Sequence, residues 1–138
     1  MEKSYQDLEV WKQARELVRL VYQITKSFPP EELYGLTTQI RRAAISVASN
    51  IAEGCGRRNA KDSLRFFFIA RASLYEIETQ ILLALDLGFL DEIEGPRNQT
   101  IKCLKLLNGF IKYFQSRSSD GQQTTINEQL EEYGNNNR

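Results

Sequence analysis

The chain has 138 residues, of which 41% are hydrophobic, and its 18 basic and 18 acidic side chains leave a formal net charge of zero. This length predicts one domain with its own core, and the balanced charge excludes a global electrostatic attraction to nucleic acid or membrane. Histidine is absent, which excludes Ser-His and Cys-His nucleophile pairs, histidine bases, the usual zinc ligand sets and the Glu-x-x-His motif of di-iron bundles.

The cellular location is constrained by three features of the sequence. No run of about 18 apolar residues is present, and the first residues, MEKSYQDLEVW, are polar and acidic, so we expect neither a membrane span nor a secretory signal. The two cysteines, Cys55 and Cys103, lie outside any CxxC motif and are too few for a disulfide framework. We expect two free thiols and a cytoplasmic location; the alternative, a disulfide between them, requires a close approach that sequence does not reveal.

Four helical segments are predicted by apolar residues that recur every three or four positions. They cover about residues 8–27, 32–53, 59–87 and 91–115, and the start of the second lies between 32 and 36. Because the connections are short, sequential helices are expected to be antiparallel, which predicts an all-α, up-down-up-down four-helix bundle over residues 1–117. Residues 118–138 carry little apolar surface and predict a largely disordered acidic tail, with a helical turn or docking segment at 127–133 as the alternative.

The ends of the segments are predicted from proline, glycine and asparagine. Phe28-Pro29-Pro30 ends the first helix, since proline cannot continue the hydrogen-bond ladder. Gly54 is expected as a left-handed cap of the second helix, Asn59 as the N-cap of the third and Gly88 as its end. Pro96 suggests a first turn or a kink in the fourth. The apolar seam of the third helix is predicted to contain Leu64, Phe67, Phe68, Leu74, Tyr75, Ile81, Leu82 and Leu85.

Polar side chains on the second and third helices predict a network between them. Arg42 and Glu53 lie along one stripe of the second helix, with Asn50 beside it. Arg71 and Glu78 fall seven residues apart on the third helix, at positions that the seam would otherwise give to apolar residues. We expect these five residues to form a buried or half-buried ion-pair network that determines the register of the two helices.

The alternative for these carboxylates is a metal or acid/base site that uses Glu53 with Glu76 or Glu78. Carboxylates bind hard cations such as Ca²⁺ and Mg²⁺. Metal sites in four-helix bundles usually take more ligands, from several helices, and the chain has no histidine to supply them. The sequence therefore favours the structural network, and no metal or cofactor is expected.

The basic residues between 38 and 71 are the strongest indication of function. Seven basic side chains face two acidic ones there, a local charge of +5. Lys61 and Arg65 lie four residues apart on the opening turns of the third helix, where backbone N–H groups and the helix dipole favour phosphate. An ordinary solvated surface is the alternative. The predicted nucleic-acid-binding residues are Arg41, Arg42, Arg57, Arg58, Lys61 and Arg65.

The phenylalanine triplet Phe66–Phe68, followed by Ile69, covers more than one face of the third helix. A bundle buries one stripe of each helix, so part of this apolar surface is expected to remain exposed. Large exposed apolar patches commonly mark protein interfaces. We therefore expect self-association, with Trp11 and Tyr22 off the inner stripe of the first helix. The residues predicted for the oligomer interface are Trp11, Tyr22 and Phe66.

A family resemblance is carried by two segments, FPPEELYGLTTQIRRAAISVASNIAEG and ASLYEIETQILLALDLGFL. They resemble the bacterial four-helix-bundle proteins encoded in 23S ribosomal RNA intervening sequences, and DLEVWKQARELV is similar to that family's first helix. The resemblance covers about residues 5–115 and implies a left-handed antiparallel bundle that assembles into a homo-oligomer, a pentamer. A bundle related by fold alone, the accessory protein of diversity-generating retroelements, forms a basic pentameric barrel that binds nucleic acid and a reverse transcriptase.

The sequence thus predicts a non-enzymatic, homo-oligomeric bundle that contacts RNA or a ribonucleoprotein through its local basic residues. Assembly would repeat the local charge around a ring, so that weak contacts add. The alternative is a protein-interaction scaffold with no nucleic-acid role, in which the phenylalanine triplet and the acidic tail recognise the partner. Arginines that converge on one face would favour RNA, whereas arginines paired with Glu53, Asp62 and Glu78 would favour the scaffold.

Overall fold

A computed structural model describes residues 4–119 and 126–136, which are helical and contain no strand. The α-helices are α1 Glu9–Thr25, α2 Leu36–Cys55, α3 Ala60–Asp86, α4 Glu94–Ser119 and α5 Ile126–Asn136. The first four form the predicted four-helix bundle, in which α2 packs on α3, α3 on α4, and α1 on both α2 and α4. In this part of the chain, no helix combines the length and the hydropathy that a bilayer crossing requires.

The core is built from one apolar stripe of each bundle helix. Leu17 of α1, Ile51 of α2 and Phe67 of α3 are fully buried. Phe67 also belongs to an aromatic cluster with Phe110 and Phe114 of α4, whose ring centroids lie 4.8 to 5.0 Å apart. Aromatic rings at such distances and tilted angles add favourable electrostatics to the burial of apolar area. The cluster therefore ties α3 to α4.

The ends of α3 form as predicted. Asn59 Oδ1 accepts a hydrogen bond from the backbone N–H of Asp62 at 2.8 Å, which confirms the N-cap. Gly88, with a φ of 78°, follows the last turn in the left-handed conformation that glycine adopts without strain. Pro96 lies in the first turn of α4, where its missing N–H costs no helical hydrogen bond.

The prediction that Gly54 is a left-handed cap is wrong. Gly54 is buried inside α2, which continues to Cys55 and is followed by Gly56. A Cβ placed on Gly54 would lie 2.3 Å from Cε1 of Phe67. This glycine therefore serves close packing: it lets a phenylalanine ring of α3 rest against the backbone of α2.

The segment predicted as a tail, residues 118–138, lies partly outside the described residues, at 120–125 and 137–138. Within it, α4 extends to Ser119, and α5 includes the 127–133 segment for which a helical turn was the alternative. Leu130 of α5 is buried, and the Tyr133 ring lies 4.8 Å from that of Phe110. Helix α5 thus packs against α4 through an apolar face.

The two cysteines are free and buried, as predicted. Burial raises the pKa of the Cys55 thiol to about 12, and it does the same for Cys103. Both thiols are therefore protonated at neutral pH, when they behave as small apolar core groups rather than as nucleophiles.

Candidate nucleic-acid and assembly surfaces

The six predicted nucleic-acid-binding residues separate into two groups. Arg41 and Arg42 lie in the first half of α2, whereas the other four lie beyond its end and on the opening turns of α3. At about 1.5 Å of rise per residue, Arg41 and Arg57 are separated by roughly 24 Å along the helix axis. The structure therefore brings together four of the six, which we name the basic corner: Arg57, Arg58, Lys61 and Arg65.

Two arginines of the basic corner are engaged by acidic side chains. Arg57 Nη2 lies 3.0 Å from Glu53 Oε2, and its Nε lies 4.0 Å from Asp62 Oδ2. Arg65 Nη2 lies 3.2 Å from Asp62 Oδ1. Both guanidinium groups also lie over the Phe66 ring, 4.3 and 5.2 Å from its centroid. Ion pairs at such exposed positions contribute about 0–1 kcal/mol, so a phosphate could replace these carboxylates at low cost.

The other two cations of the basic corner point to solvent. Arg58 and Lys61 are exposed, and neither takes part in an ion pair or side-chain hydrogen bond with the residues at 4–119 and 126–136. They flank Asn59, the N-cap of α3, where the helix dipole also favours an anion. The corner thus offers two uncompensated positive charges beside two weakly paired ones.

The group on α2 has a different environment. Arg41 Nε donates to Thr25 Oγ1 at 2.9 Å, and its guanidinium lies 4.6 Å from the centroid of the Tyr22 ring. Arg41 is therefore attached to α1. Arg42 is exposed and lies at a surface groove between α2 and α3 that Glu76 also lines. These two arginines do not extend the surface of the basic corner.

The ion pairs of the predicted polar network do not form. Its proposed members were Arg42, Asn50, Glu53, Arg71 and Glu78. Glu53 pairs with Arg57, one turn further along the chain. Arg71 Nη1 instead donates to Asn108 Oδ1 of α4 at 3.2 Å. Glu78 forms no ion pair within the described residues. The side chain of Arg71 is thus turned toward α4, away from α2.

Serines make the polar contact between α2 and α3 instead. Ser73 Oγ donates to Ser46 Oγ at 2.9 Å. Asn50 Nδ2 donates to the Ser46 carbonyl and hydroxyl oxygens on its own helix, both at 2.9 Å. Such short side chains let the two helices approach each other closely at this contact. Among the described residues, no group of three or more Cys, Asp or Glu side chains is placed to hold a metal ion.

The three residues predicted for the oligomer interface are partly covered by side chains of their own chain. Trp11 is half-buried, with its ring 5.2 Å from that of Tyr5 and under the guanidinium of Arg15. Tyr22 lies under Arg41, and Phe66 lies under two arginines of the basic corner. Each of these rings is thus covered in part by an arginine of its own chain, and Tyr22 remains 36% exposed.

A larger apolar surface lies on α3, and much of it belongs to the apolar seam predicted from the sequence. The assignment of Leu85 to the seam is wrong, because this side chain is 38% exposed. The same holds for Phe68, Tyr75 and Leu82, which are 38%, 52% and 39% exposed. Ile69 and Leu83 beside them are 44% and 45% exposed. We name one set of five residues the outer stripe: Phe68, Ile69, Tyr75, Leu82 and Leu83. The phenylalanine triplet followed by Ile69 is the sequence feature that indicates part of this surface: Phe67 is buried and Ile69 is exposed, whereas Phe68 is exposed against its assignment to the seam.

The outer stripe borders the groove between α2 and α3. Two adjoining pockets of about 430 and 390 Å³ share Gln39 and Glu76 in their walls. Ile69 lines the first, and Tyr75 and Leu83 line the second. Three of the five outer-stripe residues thus line the groove.

A comparison with protein families finds a match. The family model described as 23S rRNA-intervening sequence protein matches residues 6–109, which is more than half of the chain. This range includes α1, α2, α3, the basic corner and the outer stripe. No curated protein matches the sequence.

Proposed function

Because the chain belongs to the 23S rRNA-intervening sequence protein family, we propose that it is a non-enzymatic helical bundle that assembles with copies of itself and contacts RNA. The observation that supports self-assembly is the outer stripe. Five large apolar side chains lie there on one face of α3, each exposed by 38% or more. Contiguous apolar surface of this kind is uncommon on monomers and marks interaction sites.

The outer stripe suits a contact between subunits. From Phe68 to Leu83 it runs roughly 22 Å along α3, at about 1.5 Å per residue. Most soluble homo-oligomers close by rotational symmetry, so each copy contributes the same surfaces. A closed ring of five copies is the assembly that the resemblance implies. In such a ring the outer stripe would be buried in every subunit.

Assembly is tested by sedimentation velocity of the wild type and of Tyr75→Glu. A carboxylate at the centre of the stripe would lose its hydration in a subunit contact, so we expect Tyr75→Glu to sediment as a monomer. Gln115→Glu, an exposed position on α4, is the matched control and should sediment like the wild type. Circular dichroism verifies that both variants fold. A monomeric wild type, or a Tyr75→Glu variant that assembles normally, would refute the proposal.

RNA contact is proposed at the basic corner. Arg58 and Lys61 carry uncompensated charge, and Arg57 and Arg65 are held over Phe66 by weak, exposed interactions. Phosphate contacts of this kind depend on the release of counterions and therefore weaken as salt increases. In a ring, each copy would contribute one corner, so modest individual contacts would add by avidity.

The RNA contact is tested by fluorescence anisotropy with a structured 23S rRNA fragment, over a range of salt concentrations. We expect binding that weakens as salt rises and that is lost in Arg58→Glu/Lys61→Glu. Lys102→Glu/Lys105→Glu makes the same charge change at exposed positions of α4 and should bind nearly as well as the wild type. Equal losses in both double variants would assign the binding to overall charge and refute a site at the corner.

The second candidate function is a protein-interaction scaffold with no nucleic-acid role. It is favoured by the ion pairs that Arg57 and Arg65 form with Glu53 and Asp62. An assembled wild type that does not bind RNA even at low salt would select the scaffold and exclude the RNA contact.

A further inference from the structure

A pocket of about 320 Å³ lies between the end of α1 and the start of α2, apart from both the basic corner and the outer stripe. One wall is apolar and contains Phe28, Pro30 and Leu33. The other carries two cations, Lys26 and Arg41. Its volume is at the lower end of the range for small-molecule sites, about 300–1,000 Å³.

Arg41 is held in place from two sides. Its Nε donates to the hydroxyl of Thr25 at 2.9 Å, and this hydroxyl in turn lies 2.7 Å from the Val21 carbonyl oxygen, to which it donates. Thr25 is buried, so the acceptor is a rigid part of α1. The ring of Tyr22 lies 4.6 Å from the guanidinium and limits its rotation. A ligand would therefore meet an arginine whose side chain is already ordered, which lowers the entropic cost of binding.

The terminal nitrogens of Arg41 remain available. The one hydrogen bond that the Arg41 side chain forms within the described residues comes from Nε. Nη1 and Nη2 form no hydrogen bond or ion pair there. No carboxylate lines the pocket. Glu32, on the preceding turn, is engaged elsewhere, because its Oε2 accepts from the backbone N–H of Leu36 at 3.0 Å. Two cations, Arg41 and Lys26, thus line the pocket, and no acidic side chain in its wall compensates their charge.

We propose that this pocket binds an anionic group, a carboxylate or a phosphate, carried on a short apolar chain. Two oxygens of such a group match the two terminal nitrogens of Arg41, the bidentate geometry that makes arginine the preferred partner of these anions. Lys26 supplies a second positive charge. The wall of Phe28, Pro30 and Leu33 covers the apolar chain. The site requires neither assembly nor RNA.

The test is an NMR titration of the full, deuterated and ¹⁵N-labelled chain with hexanoate and, separately, with hexyl phosphate. We expect at least one of them to shift the Arg41 Nε–H resonance together with the amides of Phe28 and Leu33. Hexanamide has the apolar chain without the charge, and acetate has the charge without the chain. Both should bind at least about tenfold more weakly, given the strength of charge-assisted hydrogen bonds and of apolar burial. The anion that binds more tightly shows whether the pocket prefers a carboxylate or a phosphate.

Two neighbouring arginines provide the matched variants. Arg41→Gln should weaken binding of the better anion by about tenfold or more, whereas Arg42→Gln, one residue along on the exposed side, should leave it unchanged. Lys26→Gln, an exposed position, should give a smaller loss and serves if Arg41→Gln does not fold. Binding that is equal in Arg41→Gln and the wild type, or no shift with either anion, would overturn the proposal. Because the readout is local, this result is independent of assembly and RNA binding.

Discussion

Helix α3 carries two apolar stripes that are one residue apart and have opposite environments. The inner stripe comprises Phe67, Leu74 and Ile81, which are 0%, 0% and 1% exposed. The next residue after each of them belongs to the outer stripe and is at least 38% exposed. One residue is about 100° of rotation around a helix, enough to turn a side chain out of the bundle. Apolar character alone therefore does not tell which stripe stabilises the chain and which is available to a second copy.

The largest expected difference is between Phe67→Ala and Phe68→Ala. Phe67 is fully buried in the aromatic cluster, so its truncation should lower the free energy of unfolding by about 3–5 kcal/mol. At a concentration where the wild type is dissociated, Phe68→Ala should cost below about 1 kcal/mol, because its side chain is part-exposed. Urea unfolding at low and high protein concentration measures both.

The concentration dependence separates the two roles. The loss in Phe67→Ala should be similar at both concentrations, since it arises within one chain. The loss in Phe68→Ala should grow with concentration, since assembly stabilises the folded chain by mass action. A concentration-independent loss for both variants would contradict the division into an inner stripe and an outer stripe.

A smaller loss of stability is expected from a substitution in α2 that crowds the inner stripe of α3. In Gly54→Ala, the new methyl would lie 2.3 Å from Phe67, and the forced shift should cost about 1–3 kcal/mol. Gly56→Ala is the control, because its Cβ would meet its nearest atom at an ordinary 3.5 Å and its φ is −87°. Thermal unfolding of the two variants should separate them; equal stability would show that Phe67 can move away freely.

Removal of the N-cap should lower the stability of α3, the helix that carries both stripes. Asn59 accepts the backbone hydrogen bond that starts α3, and Asn59→Ala should cost about 1 kcal/mol. Asn98→Ala, at an exposed position on α4, is a control without a capping role. Urea unfolding of the dissociated protein provides the comparison, and an Asn59→Ala variant as stable as the control would show that the cap contributes nothing to α3.

The smallest expected effect is a loss of stability at alkaline pH, which the buried thiol of Cys55 causes. The folded-state pKa of Cys55 is raised to about 12, against about 8.5 in an unfolded chain. The folded state therefore binds more protons between these values, so the stabilising contribution is complete below about pH 8.5 and is lost as pH rises toward 12. Between about pH 8 and 9, stability should fall less steeply in Cys55→Ala than in the wild type, by about 0.7 kcal/mol. Parallel slopes would contradict a buried, protonated thiol.

The sequence predicted the architecture better than the surfaces. Prolines, Asn59 and Gly88 act through local backbone chemistry, so the helix ends they define could be predicted without knowing the fold. The role of Gly54 depends on a ring that approaches from α3, which local rules do not contain. The direction of Arg71 likewise depends on Asn108, 37 residues away. The sequence indicates the outer stripe only near Phe66–Phe68, because three consecutive phenylalanines are too many for one buried face of a helix.

The most direct test of the central claim is hydroxyl-radical footprinting of the unmodified wild type at dilute and assembled concentrations. Tyr75 of the outer stripe is 52% exposed in the single chain, and Tyr34, on the connection before α2, is 93% exposed and serves as the internal reference. We predict that assembly lowers the oxidation rate of Tyr75 relative to Tyr34. A ratio of the two rates that is unchanged when the protein assembles would contradict the outer stripe as the contact between subunits.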